Sequence, residues 1–429
     1  LQKRHLIVLL AGLLCTTALG EDWPQFRGPT GLGHTTEKNL PTTWDAKTGD
    51  NVLWKSSLKG EGHASPVVVG DRVFTCTVEW PADVKDRKKV IPDHFVTCYS
   101  VTDGRQLWQT PIQPGPWVRD DFRSGPGGGY AAPTPCTDGK QLYVVFSSSV
   151  MAALDLTGKV VWRKEIIPYT FDVTIGTSPV LHGKNVLFVC MMAKKGDSRI
   201  AAFSKETGDL AWEAKAPAMG FGHSTPVIVE VNGKPQMLVV AGAMGSGGDA
   251  MQSFDPADGK RLWWCKGGGE SSSPAFGKLS GGGSIVFFDS GRGGNGTAVD
   301  PTGEGDVSKS HIKWTTGNYG EAISSPIIVG DHVYRLISGS VLKCWNAKTG
   351  DAVYSERLPV TSTWASPVAD GDGNLYFASA GKTAVVKSGP EYKLLATNDL
   401  GDGNHASMGV SNGKLFFVGL KQVWCVGKK

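Results

Sequence analysis

Three histidines and two aromatic residues stand at matching places of a repeated sequence: His63, Tyr130, His223, Trp364 and His405. Each lies three residues before a recurrent Pro, or, for His405, before Met408, which occupies the aligned place. Gly176, Ser271 and Ile323 complete the set of eight. Imidazoles and aromatic rings gathered at one opening can hold a ligand by stacking and hydrogen bonds. His63 and His405 together could also ligate a metal. Charged groups lie close in sequence: Glu61, Glu270 and Glu321 in the same loops, and Arg123, Asp249 and Arg292 in glycine-rich insertions. A structural reading competes with the chemical one. Gly62-His63-Ala64-Ser65-Pro66 and Gly222-His223-Ser224-Thr225-Pro226 are near copies, so the imidazoles can equally be repeat-borne residues that bond the neighbouring unit's backbone.

No complete catalytic set accompanies these residues. There is no His-Glu-x-x-His zinc motif, and the Gly-x-Gly-x-x-Gly patterns lie between strands rather than before helices. Gly245-Ser246-Gly247-Gly248 reads as a loop tip, not as a nucleophile elbow.

The elements that must position these residues follow from the repeat. A small residue followed by Pro opens a β-branched run at Ser65-Pro66, Ala132-Pro133, Ser178-Pro179, Thr225-Pro226, Ser273-Pro274, Ser325-Pro326 and Ser366-Pro367, with Ser407-Met408 as an eighth copy. After each comes a tight glycine turn, a second strand, a loop, a third strand, a turn with Thr-Gly or Asp-Gly, and a fourth strand ending on a large ring. Four short strands per roughly 45 residues describe a propeller blade. The fold predicted is therefore all-β, an eight-bladed β-propeller of four-stranded antiparallel blades. The outer-strand rings are Trp54, Trp108, Trp162, Trp212, Trp263, Trp314 and Tyr354. Cys98 to Trp108, Ala202 to Trp212, Ser253 to Trp263 and Cys344 to Tyr354 keep one spacing from small residue to ring, Ala153 to Trp162 is one residue shorter, and the ring fills a slot between blades. The eighth unit lacks its ring-bearing strand, and the stretch from Thr48 to Trp54 is an orphan. Pairing the two closes the circle and removes two open edges.

Two loop sets differ in length. The turns between first and second strands are short and uniform, whereas insertions gather in the other set, at Glu79–His94, Thr110–Tyr130, Gly245–Asp249 and Ser290–Gly296. Long loops crowded on one face of a rigid ring mark that face as the functional one.

The small-x-Asp-x-x-Thr-Gly-x-x-x-Trp repeat resembles the tryptophan docking motif of pyrroloquinoline-quinone-type propellers, over about residues 22–429. That superfamily includes quinoprotein alcohol dehydrogenases and the outer-membrane assembly lipoprotein BamB. The opening Asp22-Trp23-Pro24-Gln25-Phe26-Arg27-Gly28-Pro29 resembles the start of many secreted bacterial quinone-repeat-like proteins. For the enzymes, the resemblance implies a quinone clamped between a Trp and a disulfide of adjacent cysteines, with calcium held by a Glu, an Asn and an Asp. No two cysteines are adjacent here and no Cys-x-x-Cys-His haem motif occurs. Cys98, Cys344 and Cys425 occupy the small-residue slot and read as core packing. Cys76 and Cys98, on neighbouring strands, could form a disulfide in an oxidising compartment.

Composition agrees with a turn-rich ring. Gly accounts for 57 of 429 residues, Trp for 14, and charged residues for 20%. A net charge of +4 is too small and diffuse to imply nucleic acid or a membrane surface as partner. Lys3 and Arg4, the apolar run Leu6–Leu14 and Ala18-Leu19-Gly20 describe a secretory signal peptide over residues 1–20, too short to span a bilayer. A lead-in over 21–43 and one propeller over 44–429 follow. The expectation is an exported, monomeric, non-catalytic scaffold of the periplasm or extracellular space that binds an envelope protein or glycan, with no cofactor assigned. The alternative is a quinone-dependent dehydrogenase, with pyrroloquinoline quinone and calcium, or another enzyme of the channel mouth.

Overall fold

A computed structural model describes residues 20–117, 128–166, 175–191, 196–220, 222–242, 248–291, 294–361 and 364–429. Strands form eight sheets, seven of four strands and one of five. Helical structure among the described residues is confined to short 3-10 turns such as Gly128–Ala131. Seven blades take their four main strands in chain order; blade 1, for example, comprises Val67–Val69, Arg72–Glu79, Asp93–Ser100 and Gln106–Ile112. In blade 8, Gly409–Ser411, Lys414–Val418 and Gln422–Gly427 are completed by Val52–Ser57, which pairs antiparallel with the last of them. The closing strand thus begins slightly later than its sequence suggests, because Asp45–Asp50 folds into a turn before it. Blade 4 carries the fifth strand, Gly305–Asp306, parallel to Trp263–Trp264.

The spacing of small residue and ring has a direct geometric outcome. Ala202 lies opposite Trp212, Cys98 opposite Trp108, Ala153 opposite Trp162, Ala298 opposite Trp314 and Cys425 opposite Trp54, with a register shift next to each pair. Four of these indoles reach the following blade in the same way. Trp162 lies on Gly208, where a Cβ would come within 2.6 Å of the ring, and its Nε1 donates to Lys205 O at 2.8 Å. Trp54, Trp108 and Trp314 lie on Gly104, Gly158 and Gly350 and donate to the carbonyls of Val101, Leu156 and Ala347. Trp212 lies on Gly259 without a bond from its Nε1. Trp263 departs from the pattern: it is fully buried within blade 4 and donates to Gln236 Oε1. Tyr354 packs against Tyr334 and Tyr392.

The recurrent residue before Pro does more than stay small. Its backbone N–H donates to the hydroxyl of the equivalent residue in the next blade, all the way round: Ser65 to Thr134, Thr134 to Ser178, Ser178 to Thr225, Thr225 to Ser273, Ser273 to Ser325, Ser325 to Ser366, Ser366 to Ser407, and Ser407 back to Ser65. The distances run from 2.9 Å to 3.2 Å, all in buried surroundings. This circle also corrects the phase of blade 2. Thr134-Pro135, not Ala132-Pro133, is its repeat signature, because only a hydroxyl can accept the bond from Ser65. Losing one acceptor strands a buried amide, at a cost of about 1–3 kcal/mol. Thr225→Val and Ser273→Ala should each lower the melting temperature by about 2–4 °C per kcal/mol lost; an unchanged melt would remove the circle from the account of stability.

The lead-in crosses the ring on the short-turn face. Trp23, fully buried, exchanges two backbone bonds with Val68 of blade 1. Pro24 O accepts from Thr137 of blade 2, Gly33 and Thr35 bond Ala369 of blade 7, and the Glu37 carboxylate accepts from the amides of Asn412 and Gly413 in blade 8. Between them Arg27, 1% exposed, donates to the carbonyls of Pro274 and Pro326 at the inner strands of blades 5 and 6. Burial, with some repulsion from Arg335, pulls its guanidinium down to about 9. The segment that resembled a family signature is therefore a plug across the channel.

Candidate functional site

With the plug on one face, the candidate residues lie on the other, in the loops that lead into the innermost strands. Three consecutive blades bring three of them together. Trp364 of blade 7 stacks on His405 of blade 8, centroids 4.8 Å apart and planes inclined by 29°. His405 in turn meets His63, leading into blade 1, at 5.3 Å. Asn404 holds the group in place. Its Oδ1 bonds His63 Nδ1 and accepts from the His405 amide, while its Nδ2 donates to Gly62 O and Gly419 O at 2.9 Å and 3.0 Å. Sequence reasoning missed Asn404, although its place beside His405 was a signal.

The remaining candidates separate. His223 lies against Gly176 of blade 3, where a Cβ would sit 2.7 Å from its Nδ1, and its amide donates to Glu270 O of the next loop. His63 likewise bonds Ala131 O through its amide. Both histidines thus tie neighbouring loops through their backbone amides, bonds that do not call on the imidazole. Tyr130 is not a mouth residue. The corrected phase of blade 2 puts Ala132 at the equivalent place, and Tyr130 is fully buried, edge-on to Trp80 and beside His94. Glu61 is ion-paired with Arg87, whose guanidinium covers Trp80. Glu321 is exposed in the loop before blade 6. Asp249 is displaced from the loop: it belongs to the strand Gly248–Phe254 and pairs with Arg261 at 2.8 Å on the flank of blade 4, because that strand starts earlier than the glycine run suggested. Arg123, Arg292 and the leader over residues 1–19 lie outside the described residues.

A charged cluster that the sequence reading passed over sits between blades 5 and 6. Arg335 and Asp289, 0% and 1% exposed, form a paired contact at 2.6 Å and 3.0 Å. Ser272 and Tyr319 donate their hydroxyls to the same carboxylate. The signal was an Arg inside the otherwise apolar strand His332–Ile337.

Cys76 and Cys98, which could have formed a bridge, are not joined. Cys76 pairs in register with Val96 and Cys98 with Phe74, and both remain buried thiols. The seven described cysteines are all buried and single. Among the described residues no group of three or more His, Cys, Asp or Glu side chains converges.

One buried and two half-buried imidazoles should make the fold acid-sensitive. Burial lowers His94 to about 3, and burial with the neighbouring charge lowers His34 and His405 to about 4, from 6.5. The unfolded chain consequently binds more protons. The stability these groups confer is complete above pH 6.5 and is lost as pH falls through about 4. Melting temperature should drop across that interval, and His94→Gln should flatten the slope; an identical slope would assign the acid response elsewhere.

Comparisons with known proteins agree on the architecture. A family model described as "Outer membrane protein assembly factor BamB" matches residues 92–263 and 230–387. The outer membrane protein assembly factor BamB of Bordetella pertussis is 25% identical over 261 residues, 60% of this chain and 53% of that protein. The quinoprotein glucose dehydrogenase of Escherichia coli is 31% identical over 119 residues, 24% of this chain and 14% of that protein. The chain spans about half of the first of these curated relatives and far less of the second. The solved quinohemoprotein alcohol dehydrogenase from Comamonas testosteroni superposes with a TM-score of 0.67 at 14% identity, covering 95% of this chain and 81% of that one. At such identity the likeness concerns the fold.

Proposed function

Because the chain belongs to the family described as outer membrane protein assembly factor BamB, we propose that it is an exported, non-catalytic propeller that grips an envelope protein or glycan on its long-loop face. One observation carries this reading: the plug shuts the short-turn face, while the opposite face presents the Trp364–His405–His63 stack on rigid inner strands. Rigid strands beneath exposed loops reduce the entropy lost on binding. The signal-like leader supports export, and no described helix is long and apolar enough to cross a membrane. Proximity labelling in the native envelope, followed by capture with wild type and a His63→Ala/His405→Ala double variant, tests the reading. Partners captured by wild type and lost by the variant support it. Retention of every partner by the variant overturns it.

The second reading, a quinone-dependent dehydrogenase, draws on the similarity to quinoprotein glucose dehydrogenase. Against it stands the sequence, in which no two cysteines are adjacent and no Cys-x-x-Cys-His motif occurs. Absorbance after addition of pyrroloquinoline quinone and calcium decides. Stoichiometric binding with sugar- or alcohol-dependent dye reduction would establish the enzyme, and no spectral change would leave the scaffold.

A further inference from the structure

We propose that Trp364, stacked on His405 and through it on His63, is a subsite for a neutral sugar ring. The inference rests on the reading that the long-loop face is the binding face, and it names the ligand class that face accepts.

Trp364 is 42% exposed, the one large-ring side chain among the exposed hydrophobics of the described residues. It is nevertheless held from behind. His405 lies under it at 4.8 Å, His63 lies beyond at 5.3 Å, and Asn404 ties His63 to the loops on either side. A large ring already fixed in orientation loses little freedom when a ligand covers its outer face. Nothing in the packing of blades 7 and 8 requires an indole to stand in solvent at this point.

The electrostatics select the ligand. An aromatic face carries negative potential, which attracts the polarised C–H groups on one side of a pyranose. Burial, with repulsion from His63, keeps the His405 imidazole beneath it neutral. Among the described charged groups of the neighbouring entrance loops, Glu321 is exposed, Glu61 is paired with Arg87 and Lys59 is paired with Glu79. Arg335, deeper between blades, is taken up by Asp289. Carboxylates accept hydrogen bonds from sugar hydroxyls and repel planar polyacids. An aromatic peptide side chain would stack on the indole as well but brings at most one hydroxyl, that of Tyr, where a sugar ring brings several.

The test is titration of tryptophan fluorescence with maltotetraose, cellotetraose and the tetramer of N-acetylglucosamine. A tryptophan-free aromatic peptide and pyrroloquinoline quinone are titrated in parallel. At least one tetrasaccharide should bind with a Kd of about 0.1–1 mM, as a single exposed subsite provides. Calorimetry then compares variants. Trp364→Ala should weaken binding about tenfold or more, which is about 1.4 kcal/mol, whereas Trp364→Tyr should stay within about threefold because it keeps a stacking face. The proposal is overturned if no tetrasaccharide binds at about 10 mM, if Trp364→Ala binds as tightly as wild type, or if the peptide or the quinone binds and the sugars do not. Partner capture separates the two readings. Loss of partners in the His63/His405 double variant without sugar binding rejects the subsite and keeps the scaffold, while retention of all partners rejects the scaffold whatever the sugars do.

Discussion

Deleting residues 44–56 should abolish cooperative folding. The segment supplies most of the fourth strand of blade 8, Val52–Ser57, whose partners run from Val426 to Gln422. It also carries Trp44 and Trp54, 3% and 8% exposed. Trp44 packs against Phe417, and Trp54 packs against Phe416 and donates to Val101 O of blade 1. Truncating a buried Trp typically costs about 3–5 kcal/mol. Two of them approach the whole stability of a typical domain, about 5–15 kcal/mol, before the two newly opened sheet edges are counted. Circular dichroism should show a broad, early melt or an aggregated product. A sharp melt at the wild-type temperature would sink the closure model. Shortening the exposed hairpin tip between Pro81 and Lys89, which closes nothing, should leave the melt in place and serves as the control.

The second large effect belongs to the buried ion pair. Arg335→Met leaves the Asp289 carboxylate in a site that is 1% exposed, with the donors from Ser272, Tyr319 and Gly291 to compensate it among the described residues. Breaking one side of such a pair costs about 3–5 kcal/mol. The Asp289→Asn/Arg335→Met double variant should recover much of that loss, because the cost lies in the abandoned charge rather than in missing volume. Urea unfolding of the four proteins of this cycle measures the coupling directly. If the double variant were no more stable than the single one, the pair would be ordinary packing.

These two predictions differ in how far they could be foreseen. The closing strand was legible because a missing element and an orphan element announce each other: blade 8 has three strands and Thr48–Trp54 has none to join. The ion pair was not. Its partners lie 46 residues apart on adjacent blades, and a lone Arg in an apolar strand says only that some acceptor must exist. The phase of blade 2 failed for a similar reason. Ala132-Pro133-Thr134-Pro135 offers two candidate signatures two residues apart, and the choice depends on which one meets Ser65 in space.

The candidate site divides along the same line. The repeat placed His63 and His405 in adjacent units, and counting from the Pro found them. It could not show that Trp364, His405 and His63 stack in series, that Tyr130 is sealed in the core, or that Asn404 braces the group, since these depend on how loops from different blades bend towards one another. The lead-in was read as a connector with a familiar opening, and its path across the channel was invisible because its partners are backbone groups of blades 1, 2, 5, 6, 7 and 8. Backbone groups leave no mark in a sequence.

By itself, then, the sequence determined the number of blades, the strand order within them, the means of closure and the face with long loops. All of these are periodic: a pattern repeated eight times reports its own geometry through spacing alone. Only the tertiary structure decided the hydroxyl circle at the entrance of the inner strands, the plug on Arg27, the Asp289–Arg335 pair and the membership of the aromatic stack. Each of these is a single contact between distant segments, fixed by how rigid blades meet.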